Sequence, residues 1–305
     1  MSSDDMRRFM EDNFHNFNAG ELKSCAESLA AFLDSGGRLM VTLAGAMSTA
    51  GIGVTLAPAI RAGLVHAISC TGANLEEDVF RILHEGSQQR MDWRNLSAED
   101  ELELENRVTD TSIPEEVIRT VESRLLEVWQ QAESPRPPHE YFYQILPEDE
   151  SSWLCAAKEM GIPVFTPGWA DSTMGNIFSA RLIDGTLLDS SIITNDLDRM
   201  TQLADWYRSQ NTPIGFLQVG GGIAGDYAIC VVPMLRQDLL EDVPKWSWFA
   251  QISESRPSYG GYSGAPPNEK ISWQKLGPET PRFVIESDAS IVLPLLLQYL
   301  LAPPL

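Results

Sequence analysis

The sequence predicts an α/β protein: a doubly wound, mostly parallel, Rossmann-like sheet with helical elaborations. Three observations carry this expectation. Short apolar runs recur at residues 38–43, 64–69, 162–165, 214–219, 247–252 and 283–285, the pattern of strands buried on both faces. The segments between them repeat apolar residues at helical spacing. The first two runs flank a helical stretch, residues 50–61, with short connections, which makes a βαβ unit.

In chain order, Asn18 with Glu21 reads as a capping box that opens a helix. Its apolar face is Leu22, Cys25, Leu29, Phe32 and Leu33, and Gly36-Gly37 ends it, so residues 1–37 form an N-terminal helical segment. Asn74 and Glu77 make a second capping pair ahead of Val79, Ile82 and Leu83. Residues 86–112 are polar and read as an insertion. Pro114 takes the first position of an amphipathic helix through Val117, Val121, Leu125 and Val128. Pro135–Pro138 is the clearest linker, yet the α/β pattern resumes behind it, so residues 1–305 read as a single domain. The apolar run 291–305 is too short to span a bilayer and is interrupted by Pro294, Pro303 and Pro304. It reads as a buried closing helix.

Composition narrows the function. A chain of 305 residues with 43% hydrophobic content can bury a substantial core. A net charge of −21 argues against nucleic acid and anionic membranes as partners. It suits a cationic small molecule, or serves solubility alone. Cys25, Cys70, Cys155 and Cys230 are scattered without metal-ligand spacing, so no metal site is expected and the thiols read as reduced. With no apolar signal core behind Met-Ser-Ser-Asp-Asp-Met-Arg-Arg, the expected location is cytoplasmic.

Two segments carry candidate chemistry. Gly220-Gly221-Gly222-Ile223-Ala224-Gly225 follows a predicted strand and precedes a helical run. Such glycines admit a phosphate at a helix N-terminus, or turn the chain for steric reasons alone. The second segment is Gly264-Ala265-Pro266-Pro267-Asn268-Glu269-Lys270-Ile271-Ser272-Trp273-Gln274-Lys275. Buried beside a pocket, Lys275 would be a nucleophilic amine, Glu269 its proton shuttle and Trp273 a shield against water or a seat for a cation. On the surface, the same residues are an ordinary charged loop.

That second segment, with Asp288-Ala289-Ser290 behind it, closely resembles the signature of deoxyhypusine synthases. The resemblance implies that Lys275 carries a covalent butylimine and that Glu269 assists catalysis. It implies NAD contacts at Gly45, Ala46, Met47, Ser48 and Thr49, at Thr71, Gly72, Ala73 and Glu77, and at Asp171, Asp288 and Ala289. It implies polyamine contacts at Glu76, Glu77, Asn176, Gly221, Asp226, Tyr262 and Trp273. Four positions depart from the family pattern: Asp226 replaces a histidine, Cys230 an asparagine, Asn176 an aspartate, and Tyr262 an acidic residue. The pattern is similar to the bacterial deoxyhypusine synthase-like branch. The function this implies is an NAD-dependent aminobutyl transferase acting on polyamines or diamines, with a small amine acceptor as in homospermidine synthesis. True deoxyhypusine synthesis on a protein lysine is the first alternative, and a non-catalytic NAD- or polyamine-binding protein the second. The resemblance also implies a homotetramer with active sites at subunit interfaces.

Overall fold

A computed structural model describes residues 3–83, 90–104, 106–257 and 260–302 of the protein. Strands β1 (Arg38–Leu43) and β2 (Ala67–Cys70) are followed by a small antiparallel hairpin, β3 (Arg107–Val108) and β4 (Thr111–Ser112). Then come β5 (Val164–Phe165), β6 (Ile214–Val219), β7 (Trp248–Ile252) and β8 (Arg282–Ile285). All strands but the hairpin form one parallel sheet in the order β5-β2-β1-β6-β7-β8. The chain thus runs outward from β1 to one edge, then returns to build the other half from β6. This is the doubly wound arrangement, with its ligand crevice expected at the carboxyl ends of β1 and β6.

Strand periodicity sorts the core into two layers. Leu39, Val41, Leu43, Leu217, Val219, Trp248, Ala250 and Ile252 belong to one cluster. Met40, Phe216 and Phe249, which alternate with them, belong to the other. Helices Phe17–Asp34, Gly53–Arg61 and Ala289–Leu301 pack over the first face, and Asp196–Ser209 and Gly222–Ile229 over the second. The apolar C-terminal run does form a closing helix, burying Val292, Leu293, Leu296, Leu297 and Tyr299 despite Pro294. Pro303 and Pro304 lie outside the described residues.

Several local expectations need correction. Helix Gly53–Arg61 starts three residues later than its apolar pattern, β2 starts at Ala67, and Pro114 precedes its helix, Glu115–Gln130, as the cap. Pro135–Pro138 is not a linker: Pro138 opens the helix Pro138–Ile145, and Arg136 exchanges backbone hydrogen bonds with Ile192 and Thr194. Within the polar insertion, the described residues form a helix Ala98–Glu103 behind a capping box of Ser97 and Asp100. Residues 86–89 and 105 of the insertion are outside the described residues.

The most informative correction concerns Asn18 and Glu21. The helix starts at Phe17 behind Asn16, and no side chain caps it. Asn18 instead donates through Nδ2 to the Glu286 carbonyl at 2.7 Å and accepts from the Glu286 amide at 3.1 Å. Glu21 accepts from the Val284 amide at 3.1 Å. Both side chains therefore satisfy the outward backbone of β8, an edge strand whose groups would otherwise lack partners. Asn18→Ala removes two of these hydrogen bonds and should lower stability by about 1–2 kcal/mol in urea denaturation. Glu27→Ala, on an exposed position of the same helix, should stay within about 0.5 kcal/mol.

Candidate active site

Polar side chains inside central strands are costly unless hydrogen-bonded, so they mark purpose. Gln218 in β6 and Gln251 in β7 are such exceptions, both buried. Gln218 accepts from the Tyr262 hydroxyl at 2.8 Å, and Gln251 donates to the Ser263 carbonyl at 2.6 Å. Together they pin the short turn Tyr262–Gly264 onto the sheet. Gly221 explains the neighbouring glycine run: a Cβ there would stand 2.0 Å from the Ser263 hydroxyl. The Gly222 amide donates to that hydroxyl at 3.0 Å. A side chain at Gly221 is thus excluded on steric grounds alone.

Behind this turn, Pro267 opens the helix Pro267–Ser272, which closes in a Schellman motif. The Lys275 amide donates to the Lys270 carbonyl at 3.0 Å, and the Gln274 amide to the Ile271 carbonyl at 3.0 Å. Gln274 supplies the left-handed residue, with φ at 57°, where glycine is usual. Lys275 is therefore held at the backbone by the helix end itself, and its carbonyl accepts from Trp246.

Lys275 as a residue is only 7% exposed. Its Nζ donates to Asp226 Oδ1 at 3.2 Å and stands 5.3 Å from the Tyr262 ring centroid. Asp226, Cys230, Pro233, Met234 and Gln237 recur along one side of the helical run that begins at Gly222 and ends in a π-helical turn, Met234–Asp238. With Tyr262, Glu269, Lys270, Trp273 and Lys275 they line a cavity of about 580 Å³. Glu269 sits exposed at its rim and Trp273 is 59% exposed. Burial, then the nearby Tyr262-facing Lys275 cation, push the Lys270 amine down to about 8. Cys230 approaches Asp226 at 3.5 Å, and burial pushes its thiol up. Lys270, Asp238 and Gln237 are cavity residues that sequence reasoning missed. The spacing of Gln237 from Asp226 and Cys230 is the signal that would have found it.

A second group assembles at the carboxyl ends of β1 and β2. Asn74, fully buried, donates to the carbonyls of Leu43 and Gly45 and accepts from the Ser48 amide at 2.9 Å. Thr71 donates to the Gly45 carbonyl at 2.9 Å. Asn74 is thus the fastener of the Gly45–Thr49 loop, not a helix cap. The Ser48 hydroxyl is engaged by the Asn74 carbonyl and by the Trp153 indole at 2.9 Å. The acidic run Glu76-Glu77-Asp78 is buried, and each carboxylate ties down a different segment. Glu76 accepts from the Thr173 and Met174 amides at 2.9 and 2.7 Å, at the N-terminus of helix Thr173–Ile183. Glu77 accepts from the Thr49 amide at 3.2 Å, and Asp78 from Ser152 and Leu154. Burial raises the Glu77 carboxyl to about 7, against the pull of its Thr49 hydrogen bonds.

Among the remaining candidates, Asn176 donates to the Ala170 and Ser172 carbonyls and closes the loop that carries exposed Asp171. Asp288 caps the C-terminal helix at Ala289 by accepting from the Ser290 amide at 2.8 Å. Thus Asp226, Tyr262, Glu269, Trp273 and Lys275 converge on one cavity, whereas Gly221 is not among its lining residues and packs against Ser263. Glu76, Glu77 and Asn176 lie with the β1, β2 and β5 loops instead. Asp171 follows β5 and Asp288 follows β8, the two edges of the sheet, about five inter-strand steps or roughly 24 Å apart.

A family model for deoxyhypusine synthase matches residues 8–300. The chain belongs to the deoxyhypusine synthase family. It is a transferase of the aminobutyl group. Two relatives illustrate the distance within this family. A "deoxyhypusine synthase-like protein" of Cyanothece sp. is 28% identical, over 96% of this chain and 78% of its own. The "probable deoxyhypusine synthase 1" of Archaeoglobus fulgidus is 28% identical, over 93% of this chain and 90% of its own. A crystal structure described as a "putative deoxyhypusine synthase" from Entamoeba histolytica superposes with a TM-score of 0.61 at 12% identity. It covers 95% of this chain and 90% of that one, and so supports the doubly wound fold. Among the described residues, no helix is long and apolar enough to cross a membrane.

Two measurements test the local physics. Because the folded Glu77 carboxyl titrates above its unfolded value of about 4.5, its contribution to stability is complete below that value and is lost as pH rises through about 7. Glu77→Gln should therefore gain stability relative to the native protein between those pH values, by up to about 3 kcal/mol at pH 8. Denaturant melts at pH 5 and pH 8 would show the difference, and an equal effect at both would refute it. Gln274→Gly should raise stability by about 1 kcal/mol, because it relieves a left-handed non-glycine residue.

Proposed function

We propose that this protein moves an aminobutyl group from a polyamine donor to a small amine, through an imine on Lys275, with NAD as its redox cofactor. The supporting observation is the cavity itself: a buried lysine on a conformationally fixed turn, ringed by Asp226, Asp238, Glu269 and the Trp273 face. Carboxylates and an indole suit a cationic alkyl amine. Lys275, once deprotonated, attacks the electrophilic carbon of the butyl fragment and holds it as an imine until the acceptor amine displaces it. Asp226 orients the Lys275 nitrogen through its 3.2 Å contact. Glu269, at the rim, exchanges protons with the departing and arriving amines.

NAD fits the crevice at the carboxyl ends of β1 and β6. Gly45 and Gly222 are both left-handed there, and a Cβ on either would meet open space, so a flat group can approach the backbone. The chemistry supplied there by bound NAD would be acceptance of a hydride from the donor carbon and its later return. Gly45, Ala46, Met47, Thr49, Thr71, Gly72 and Ala73 would hold it on the β1 and β2 side, with Asp171 as a hydroxyl acceptor. Ser48 would act only by shaping the loop, since its hydroxyl is engaged.

The distribution of the remaining candidates favours assembly. Glu76, Glu77 and Asn176 stand apart from the Lys275 cavity, and Asp288 with Ala289 stands at the opposite edge from Asp171. A second copy of the chain would unite these groups at a shared site, in keeping with a homotetramer. A small acceptor is favoured because three of the four departures from the family pattern, Asp226, Cys230 and Tyr262, surround the lysine.

Incubation with NAD⁺ and labelled spermidine or putrescine, followed by borohydride, should leave one labelled peptide containing Lys275. Lys275→Arg should lose the label entirely, and a label elsewhere would sink the assignment. Mass spectrometry of products with putrescine as acceptor should reveal homospermidine. Transfer to a protein lysine but to no free diamine would instead identify a true deoxyhypusine synthase.

A further inference from the structure

We infer that Lys270 is the proton acceptor that frees the Lys275 amine for attack. This rests on the reading of Lys275 as the imine-forming residue. Lys270 is 2% exposed and lines the same cavity. A buried ammonium normally has a carboxylate partner, and among the described residues Lys270 forms no ion pair. Its one hydrogen bond is a donation to the Ala265 carbonyl at 3.1 Å, which a neutral amine makes equally well. Its Nζ also stands over the rings of Phe249 and Tyr262, 5.1 Å from each centroid.

The contrast with Lys275 is direct. Both nitrogens stand against the Tyr262 ring, but only Lys275 touches Asp226. The groups acting on Lys270 are the Lys275 cation, which opposes its charge, and the Glu269 and Asp226 carboxylates, which favour it more weakly. Tyr262 is held in its neutral form by burial, and the Cys230 thiol is pushed the same way. Of the two amines, Lys275 is thus the one paired with a carboxylate and Lys270 the one buried without such a partner among the described residues. A titration of Lys270 near 8 agrees with that contrast.

The proton inventory is simple. Lys275 gives up one proton and keeps the electron pair, while the lone pair of Lys270 binds that proton across the cavity both residues line. The freed pair on Lys275 forms the new carbon–nitrogen bond to the donor's oxidised, electrophilic carbon. As it forms, the carbon–nitrogen π pair of the donor moves onto the leaving nitrogen, which then takes the second proton of the Lys275 nitrogen. The remaining bond to the leaving nitrogen breaks with its electron pair going to that nitrogen, the Lys275 nitrogen completes its double bond to the carbon, and the departing amine takes the proton held by Lys270 and leaves as an ammonium. Lys270 returns to its neutral form, and no oxidant beyond the proposed NAD is required.

The test compares native protein with Lys270→Met and Lys270→Arg. Borohydride trapping of the Lys275 adduct, with labelled spermidine and NAD⁺, is followed from pH 6 to 10. Native protein should show a rise with its midpoint near 8. Both variants should lose that rise and trap at least about tenfold more slowly at pH 8. Arginine keeps the positive charge but cannot accept a proton, so a native profile in Lys270→Arg would overturn the inference in favour of a charge-only role. In parallel, substrate-free labelling of native protein with acetic anhydride, mapped by mass spectrometry, reads the titration of Lys270 without any turnover. A midpoint at the ordinary lysine value would overturn the inference even if transfer activity is present. Absence of any adduct in native protein at every pH would instead remove the proposed function, and this inference with it.

Discussion

Two buried glutamines set the geometry on which the candidate site depends. In the middle of a parallel sheet, a side-chain amide without partners would be destabilising. Gln218 meets that constraint through the Tyr262 hydroxyl and the Gly220 carbonyl, and the Gln251 nitrogen through the Ser263 carbonyl, which together draw the Tyr262–Gly264 turn down onto β6 and β7. The turn fixes the Tyr262 ring, and the ring forms the wall against which both lysine nitrogens rest. From the other side, the helix end at Gln274 fixes the Lys275 backbone. Lys275 is thus placed by sheet, turn and helix terminus together. Its side chain needs only to extend into a space already shaped.

The two halves of the sheet do different work. Carboxylates in the β1 and β2 half are buried and committed to loop architecture, with Glu76, Glu77 and Asp78 each holding one segment. In the β6 and β7 half, Asp226 has a side chain that is 48% exposed and Glu269 lies at a rim. Acidic groups there remain available to a cationic ligand. Burial raises the proton affinity of the first set, whereas the second set faces solvent and cavity. The division follows from where helix Gly72–Leu83 and helix Gly222–Ile229 lie relative to the sheet.

Much of this was legible in the sequence. Continuous apolar runs located every strand of the main sheet to within three residues, because a strand buried on both faces tolerates little else. The 264–275 segment located Lys275 and its neighbours in the cavity, since a proline-opened helix with a lysine just beyond its end is a compact local unit. What sequence could not give was partnership at long range. Asn18 and Glu21 have the spacing of a capping box, but their partners in β8 are more than 260 residues away. Asn74 has the same ambiguity, since its side chain ties down the loop behind β1 and does not cap its own helix. Lys270 was passed over because a lysine five residues before another looks like a solvated face. Only the closure of Phe249 and Tyr262 around it shows otherwise.

The covered edge at β8 also restricts how copies of this chain can meet. Asn18 and Glu21 occupy its outward backbone groups, and the opposite edge, β5, offers only two residues, with the Arg199 guanidinium already on the Val164 carbonyl. Little backbone is thus left at either border for another strand to pair with, so a contact between copies made through helices and loops would leave each sheet's ladder as it is.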